Sequence, residues 1–270
     1  MKRKQAIWKY HGLGNDFVLV DRRGEPNFTP ERTREICDRH TGIGADGILA
    51  LMTAPGGLPM MRVFNADGSV ADMCGNGLRC FVRWLVEDMA FTAKDVRVLK
   101  TDAGEQYCEA IMSSDGRVTA VKVNLGAAVF AGEVTIDVGG RHYEGNDLFL
   151  GNPHFVISRA PSETEPAIVG PLLSVHEHFP RDTNVEWIHT VDRRHADVVV
   201  YERGCGLTRA CGTGAAAAVA VAVGQDLLDA DCDITVIQPG GPLIYSLESA
   251  TQHVYMTGPA TRVFTGEYEF

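Results

Sequence analysis

Apolar residues recur along this chain with two periods, and the switches between them outline the fold. Leu78, Phe81, Val82, Leu85, Val86 and Met89 fall at helical spacing, which predicts an amphipathic helix after Cys74. Thr29–His40 predicts another, with Thr29 as N-cap and Pro30 at the first helical position, where a missing N–H is harmless. Short β-branched and aromatic runs predict strands at 7–10, 17–21, 48–52, 61–65, 96–101, 105–112 and 117–123. The second half repeats the plan. Strands are predicted at 134–138 and 141–143 around Gly139-Gly140, then at 148–150 and 155–158, with a helix over 168–178. Strands at 185–189 and 197–202 precede a helix over 212–228, and four more strands at 234–238, 243–247, 253–257 and 262–269 close the chain. Ala215–Val223 is apolar on every side, so that helix is expected to be buried. The duplicated order predicts a mixed α/β (α+β) chain of two similar halves. No linker stands out; the least structured join is expected near 124–131, giving halves 1–126 and 127–270.

Composition narrows the class. The 270 residues are 45% apolar, enough for a substantial core. A net charge of −10 argues against nucleic acid or an anionic membrane as the main partner. The start, Met1-Lys2-Arg3-Lys4, is basic, but no apolar stretch follows it, so a secretory signal is not expected. The most apolar run, Ala215–Val223, is about half the ~20 residues a spanning helix needs. A cytoplasmic protein is expected, with its seven cysteines reduced. No C-x-x-C is present, and the repeated spacing of Cys74/Cys80 and Cys205/Cys211 suits no common zinc framework, so no metal is expected.

Two segments carry the strongest chemical signal. Met73-Cys74-Gly75-Asn76-Gly77 and Ala210-Cys211-Gly212-Thr213-Gly214 each put a cysteine before a Gly-polar-Gly turn that opens a helix. A helix start carries partial positive charge and N–H groups without intrahelical partners, so it lowers a thiol's pKa and binds carboxylates. Glycines there let a ligand approach the backbone. One such thiol in each half suggests two proton carriers acting on one substrate. Cys37, Cys80, Cys108, Cys205 and Cys232 lack these glycines and read as apolar fillers. Gly42-Ile43-Gly44-Ala45-Asp46-Gly47 and Gly212–Ala217 match dinucleotide fingerprints, but neither has a strand directly before it and a helix after it. Asn15, Asn65, Asn76, Asn152 and Asn184 fall in turns or at strand ends, either as turn formers or as a neutral polar lining. Arg203, after Glu202, suits either a bidentate grip on a carboxylate or a surface ion pair.

The chain resembles the diaminopimelate epimerases. The likeness rests on Gly12-Leu13-Gly14-Asn15-Asp16-Phe17, Gly42–Gly47, Phe64-Asn65-Ala66-Asp67-Gly68-Ser69 and the Cys74 segment through Cys80. It continues through Gly151-Asn152-Pro153-His154, Asn184-Val185, Tyr201-Glu202-Arg203-Gly204 and the Cys211 segment. The cysteine motifs alone would admit related racemases of proline and similar substrates; Gly151–His154 and Glu202–Gly204 narrow the match. The resemblance implies two halves, each a curled, mostly antiparallel sheet around a central helix, with the site in the cleft between them. It implies cofactor-independent epimerisation of LL- and meso-diaminopimelate, in lysine and cell-wall precursor synthesis. Cys74 and Cys211 would be the acid–base pair, and Gly75, Asn76, Gly212 and Thr213 would hold the reacting carboxylate. Asn15 and Asn152 would bind near that centre, while Asn65, Asn184, Glu202 and Arg203 would hold the distant end, with His154 in support. A small-molecule substrate is the implied partner, and nothing in the sequence excludes a homodimer. Two departures bear on substrate preference: Gly47 replaces a glutamine that some members carry, and Leu207-Thr208-Arg209 lacks a common glutamate.

Overall fold

The computed structural model of the chain describes residues 4–269; the basic start at Met1–Arg3 and Phe270 lie outside the described residues. Its elements run β1 (Lys4–Gly12), β2 (Asn15–Asp21), α1 (Pro30–Cys37), β3 (Gly47–Thr53), β4 (Pro59–Asn65), β5 (Val70–Ala71) and α2 (Gly75–Asp88). There follow β6 (Val98–Thr101), β7 (Gly104–Met112), β8 (Val118–Ala127), β9 (Val129–Val138), β10 (Arg141–Leu150), β11 (Asn152–Ile157) and α3 (Glu165–Ser174). The last group is β12 (Asn184–Asp192), β13 (His195–Glu202), β14 (Gly206–Leu207), α4 (Gly212–Gly224), β15 (Ile234–Gln238), β16 (Gly241–Leu247), β17 (His253–Gly258) and β18 (Thr261–Glu269).

Two compact units are present. One runs to Val123 and resumes at Gly258; the other is Asn124–Thr257. In the first, β18 pairs antiparallel with β1, β1 with β2, and β2 runs parallel to β3. Strand β3 pairs antiparallel with β4, which meets β5 antiparallel and β6 parallel, and β6 and β7 form a hairpin. The second unit repeats each relation. Strand β9 pairs with β10, β10 with β11, β11 runs parallel to β12, and β12 pairs with β13. Strand β13 then meets β14 antiparallel and β15 parallel, and β15–β16–β17 is a meander. In both units one helix follows the third strand of this order and a longer one follows the sixth.

The repeat fixes the place of the last strand. β18 holds in the first unit the position that β9 holds in the second, so the C-terminal residues do not stay with the half they follow in sequence. The expected halves, 1–126 and 127–270, differ from the compact units at that strand. Nor is the join a loose segment. β8 ends at Ala127 and β9 begins at Val129, so extended chain runs through it almost unbroken. Helix α3 also lies earlier than its apolar run suggests: Pro166 takes a first-turn position and the helix ends at Ser174.

Each sheet is covered on both faces. In the first unit Val18, Val20, Ile48 and Ala50 point to the α1 side with Ile36 and Phe64. Helix α2 covers the other face, packing on β1, β2, β4 and β7 with Leu78, Phe81, Val82, Trp84 and Leu85 fully buried. In the second unit Val185 and Trp187 join Phe155, Val169 and Leu173 on the α3 side. Helix α4 packs on β10, β11, β12, β13 and β16. The alanine and valine sequence of its middle, Ala215–Ala222, follows from that wrapping, since no side of this stretch meets water. Among the described residues no helix is long and apolar enough to cross a membrane.

Candidate active site

Each long helix begins at a cysteine. Cys74 is the N-cap of α2, and its extended backbone (φ −144°, ψ 115°) turns Sγ back over the first turn. The Gly77 N–H donates to that sulfur at 3.4 Å. Cys211 caps α4 in the same way (φ −116°, ψ 115°), with the Gly214 N–H donating at 3.4 Å. A sulfur here replaces the oxygen of an ordinary Ser or Asp cap. Neither helix has an acidic residue in its first turn, so its positive end is uncompensated by its own side chains.

Around Cys74 the first unit gathers Asn15, Asn76 and a chain of charges. The Asn76 amide donates to Asn15 Oδ1 at 3.4 Å, and the fully buried Arg79 donates to Asn76 Oδ1 at 2.7 Å. Asn15 Nδ2 donates to Asp46 at 2.9 Å, which fixes which way its amide faces. Asp46 is in turn held by Arg39 at 2.7 Å, and Arg39 also grips Asp16, whose second partner is the buried Lys9 at 2.6 Å. These cations hold the Asp16 carboxyl well below its ordinary range, against the opposing effect of burial. Asn65 ends β4, where its amide donates to Ser69 Oγ at 3.0 Å. Gly47 lies opposite Asn65 in the ladder, and a Cβ on it would come within 2.7 Å of the Phe64 carbonyl oxygen. A side chain at residue 47 would need the backbone to move.

The second unit builds its site on the α4 face of the sheet. Alternation puts Asn152 and His154 of β11, Asn184 and Glu186 of β12, and Glu202 of β13 on that face. Cys211 is buried, and its N–H donates to Gln238 Oε1 at 2.8 Å. Glu202 accepts from the hydroxyl of Thr208 and from the Cys211 thiol. Burial pushes the Cys211 thiol well above its ordinary pKa; Glu202 and Glu186 add to the rise, and the Gly214 N–H and the Thr213 hydroxyl, 3.7 Å away, oppose it. The helix start therefore acts in the expected direction but does not win here. Burial likewise raises the Glu202 carboxyl, against its hydrogen bonds from Thr208 and Cys211. Asn184 donates to Pro153 O at 2.9 Å and accepts from the Arg203 N–H at 3.0 Å. The Arg203 guanidinium is exposed and donates to Arg181 O at 2.8 Å. His154 and Glu186, both fully buried, are joined at 2.8 Å.

Of the residues marked out in the sequence, four share a unit with Cys74 and seven with Cys211; Asn65 and the Arg203 guanidinium bond to Ser69 and Arg181 rather than to a helix start. Sequence reasoning missed Glu186, Gln238, Thr208 and the Lys9–Asp16–Arg39–Asp46 chain. Glu186 had one usable signal: a lone carboxyl in the otherwise apolar strand start Asn184-Val185-Glu186-Trp187-Ile188. Among the described residues no group of three or more His, Cys, Asp or Glu is arranged to hold a metal ion.

The architecture is that of the amino-acid epimerases and related isomerases. A hydroxyproline epimerase from Agrobacterium vitis superposes with a TM-score of 0.76 at 13% identity, covering 100% of this chain and 94% of that one. A phenazine biosynthesis protein of the PhzF family from Bacillus anthracis gives 0.71 at 16% identity, covering 99% and 100%. Sequence then resolves the class. The family model described as diaminopimelate epimerase matches residues 7–131 and 149–263. Diaminopimelate epimerase 1 of Nostoc sp. is 40% identical, with 96% of this chain and 98% of that protein covered. The diaminopimelate epimerase named as chloroplastic from Oryza sativa subsp. japonica is 36% identical over 96% of this chain and 78% of its own. The chain belongs to the diaminopimelate epimerase family, and it is an isomerase.

Proposed function

We propose that this chain interconverts LL- and meso-diaminopimelate by proton exchange at the α-carbon with two cysteines and no cofactor. The observation that carries the reading is the duplication of a cysteine N-cap at the start of the central helix in both nine-strand units. Cys74 and Cys211 are the acid–base pair, one taking the α-proton as thiolate while the other returns a proton as thiol. The α-hydrogen is a very weak acid, and charge moves into the carboxylate as its bond breaks. The N–H groups of Gly75, Asn76, Gly212 and Thr213 are assigned to that carboxylate. Donors already in place stabilise such a transition state by about 3–4 kcal/mol each. Cys211 is the resting thiol, because burial and two neighbouring carboxyls hold its proton on.

Asn15 and Asn152 are assigned to the reacting end of the substrate. Asn65, Asn184, Glu202 and Arg203 bind the distant amino-acid end, with His154 in support. This activity belongs to lysine biosynthesis, and the free cysteines support a cytoplasmic setting. The test is deuterium uptake from heavy water into LL- and meso-diaminopimelate without added cofactor. The wild-type protein should exchange and invert; Cys74→Ala and Cys211→Ala should each lose inversion. Wild-type-like turnover from either variant would remove the two-base reading. Exchange confined to other amino acids would remove the substrate assignment.

A further inference from the structure

His154 and Glu186 form a buried pair beneath the start of α4. Nδ1 of His154 lies 2.8 Å from Glu186 Oε1, and neither side chain reaches solvent. The same carboxyl oxygen abuts the helix: a Cβ on Gly214 would stand 2.8 Å from it. Gly214 is the residue whose N–H caps onto Cys211. The other two heteroatoms of the pair, His154 Nε2 and Glu186 Oε2, are buried with no hydrogen-bond partner among the described residues.

We propose that Glu186 is a positioning residue, holding His154 so that Nε2 carries a proton and serves as a fixed hydrogen-bond donor to an anionic oxygen of the substrate. The proposal rests on the epimerase reading for the identity of that substrate, a carboxylate-bearing amino acid. Charge balance supports the assignment. A carboxylate with a singly protonated imidazole would leave a net negative charge out of water, a costly arrangement without a counter-ion. The charges that bear on Glu186 are His154 and, with the like sign, Glu202. Burial raises the Glu186 carboxyl, so the site favours keeping protons. With one proton shared between Nδ1 and Oε1 and a second on Nε2, the pair is neutral as a whole. A buried N–H without a partner is rare in folded proteins, whereas an acceptor with spare lone pairs is tolerated. The unpartnered donor is therefore the half of the pair that waits for a ligand. The other titratable groups facing the α4 start are Glu202 from β13, Cys211 itself and Tyr245 from β16, whose hydroxyl donates to Gly212 O at 3.3 Å.

Imidazole nitrogen NMR on the whole protein tests this without turnover. In the wild type near neutral pH, His154 Nε2 should give the signal of a protonated nitrogen, and diaminopimelate should shift it. Glu186→Gln should move that signal toward the bare-nitrogen value and lower kcat/KM about tenfold to a hundredfold, the worth of one charge-assisted hydrogen bond. Glu186→Asp, which keeps the carboxyl, should restore the protonated signal and part of the activity. A bare Nε2 in the wild type overturns the proposal even if the Gln variant does not fold. So does a Gln variant with unchanged spectrum and kinetics. Absence of α-proton exchange by the wild type would instead overturn the epimerase reading.

Discussion

Cys211 stands between opposed influences. The Gly214 N–H and the Thr213 hydroxyl favour its thiolate, while burial, Glu202 and Glu186 favour the thiol. A thiol whose pKa is raised stays protonated to higher pH and reacts with alkylating agents only above the ordinary thiol range. Replacing Glu202 by Gln removes the larger of the two like charges and should move the pH midpoint of Cys211 alkylation downward. Peptide-resolved mass spectrometry over a pH series measures it; an unmoved or rising midpoint would show that Glu202 does not govern this thiol. At this scale the cysteines were legible because glycines flank them in a pattern that simple filling does not require. The buried partners were not. Glu186 and Gln238 occupy single positions in strands, and a strand pattern reveals which side chains share a face, not which helix start that face will meet.

The helix starts show how one residue type meets two environments. Gly77 and Gly214 occupy the same position three residues after the cysteine, and alanine would favour either helix by about 1 kcal/mol through propensity alone. The surroundings decide the outcome. A Cβ on Gly77 would meet Leu49 Cδ2 at 3.1 Å and the Cys74 Cβ at 3.3 Å, and the leucine end can yield. A Cβ on Gly214 would lie 2.8 Å from Glu186 Oε1 and 3.0 Å from Val200 Cγ1, both fixed in a covered sheet. Overpacking of that kind costs about 1–3 kcal/mol. Gly77→Ala should therefore melt within a few degrees of wild type, while Gly214→Ala should melt clearly lower and lose activity as the Glu186 carboxyl is displaced. Thermal melts paired with exchange assays check this, and equal melting temperatures would refute the packing argument. Element order and type were readable because periodicity and caps are local. Helix α3 was misplaced because Pro166 starts it within a polar stretch, and apolar periodicity carries no record of where a cap falls.

At the scale of the whole chain, the hardest feature to read was the return of the last strand. Nothing local in Thr261–Glu269 distinguishes a strand that ends the second unit from one that completes the first. Only the count of strands around each central helix does so, and that count is set by long-range pairing. The pairing has consequences for Cys74. Strand β18 lies along β1 from Lys4↔Glu269 to His11↔Thr261, and the segment just before it receives the buried end of α2. Arg79 Nε donates to Pro259 O at 3.2 Å, and Arg83 donates to Ala260 O. Arg79 is the residue that holds Asn76 beside Cys74. Ending the chain at Thr257 would leave β1 as an open edge and strip the buried Arg79 and the half-buried Arg83 of these acceptors, a loss that a buried charge tolerates poorly. The truncated protein should lose amide hydrogen-exchange protection first in β1 and α2, while α4 and β10–β13, which pair within 124–257, keep theirs. The damage would thus fall on a helix far from the cut in sequence, not on the one nearest to it. Protection lost first in α4 would mean that the C-terminal strand supports the second unit instead, contrary to the pairing that places it beside β1.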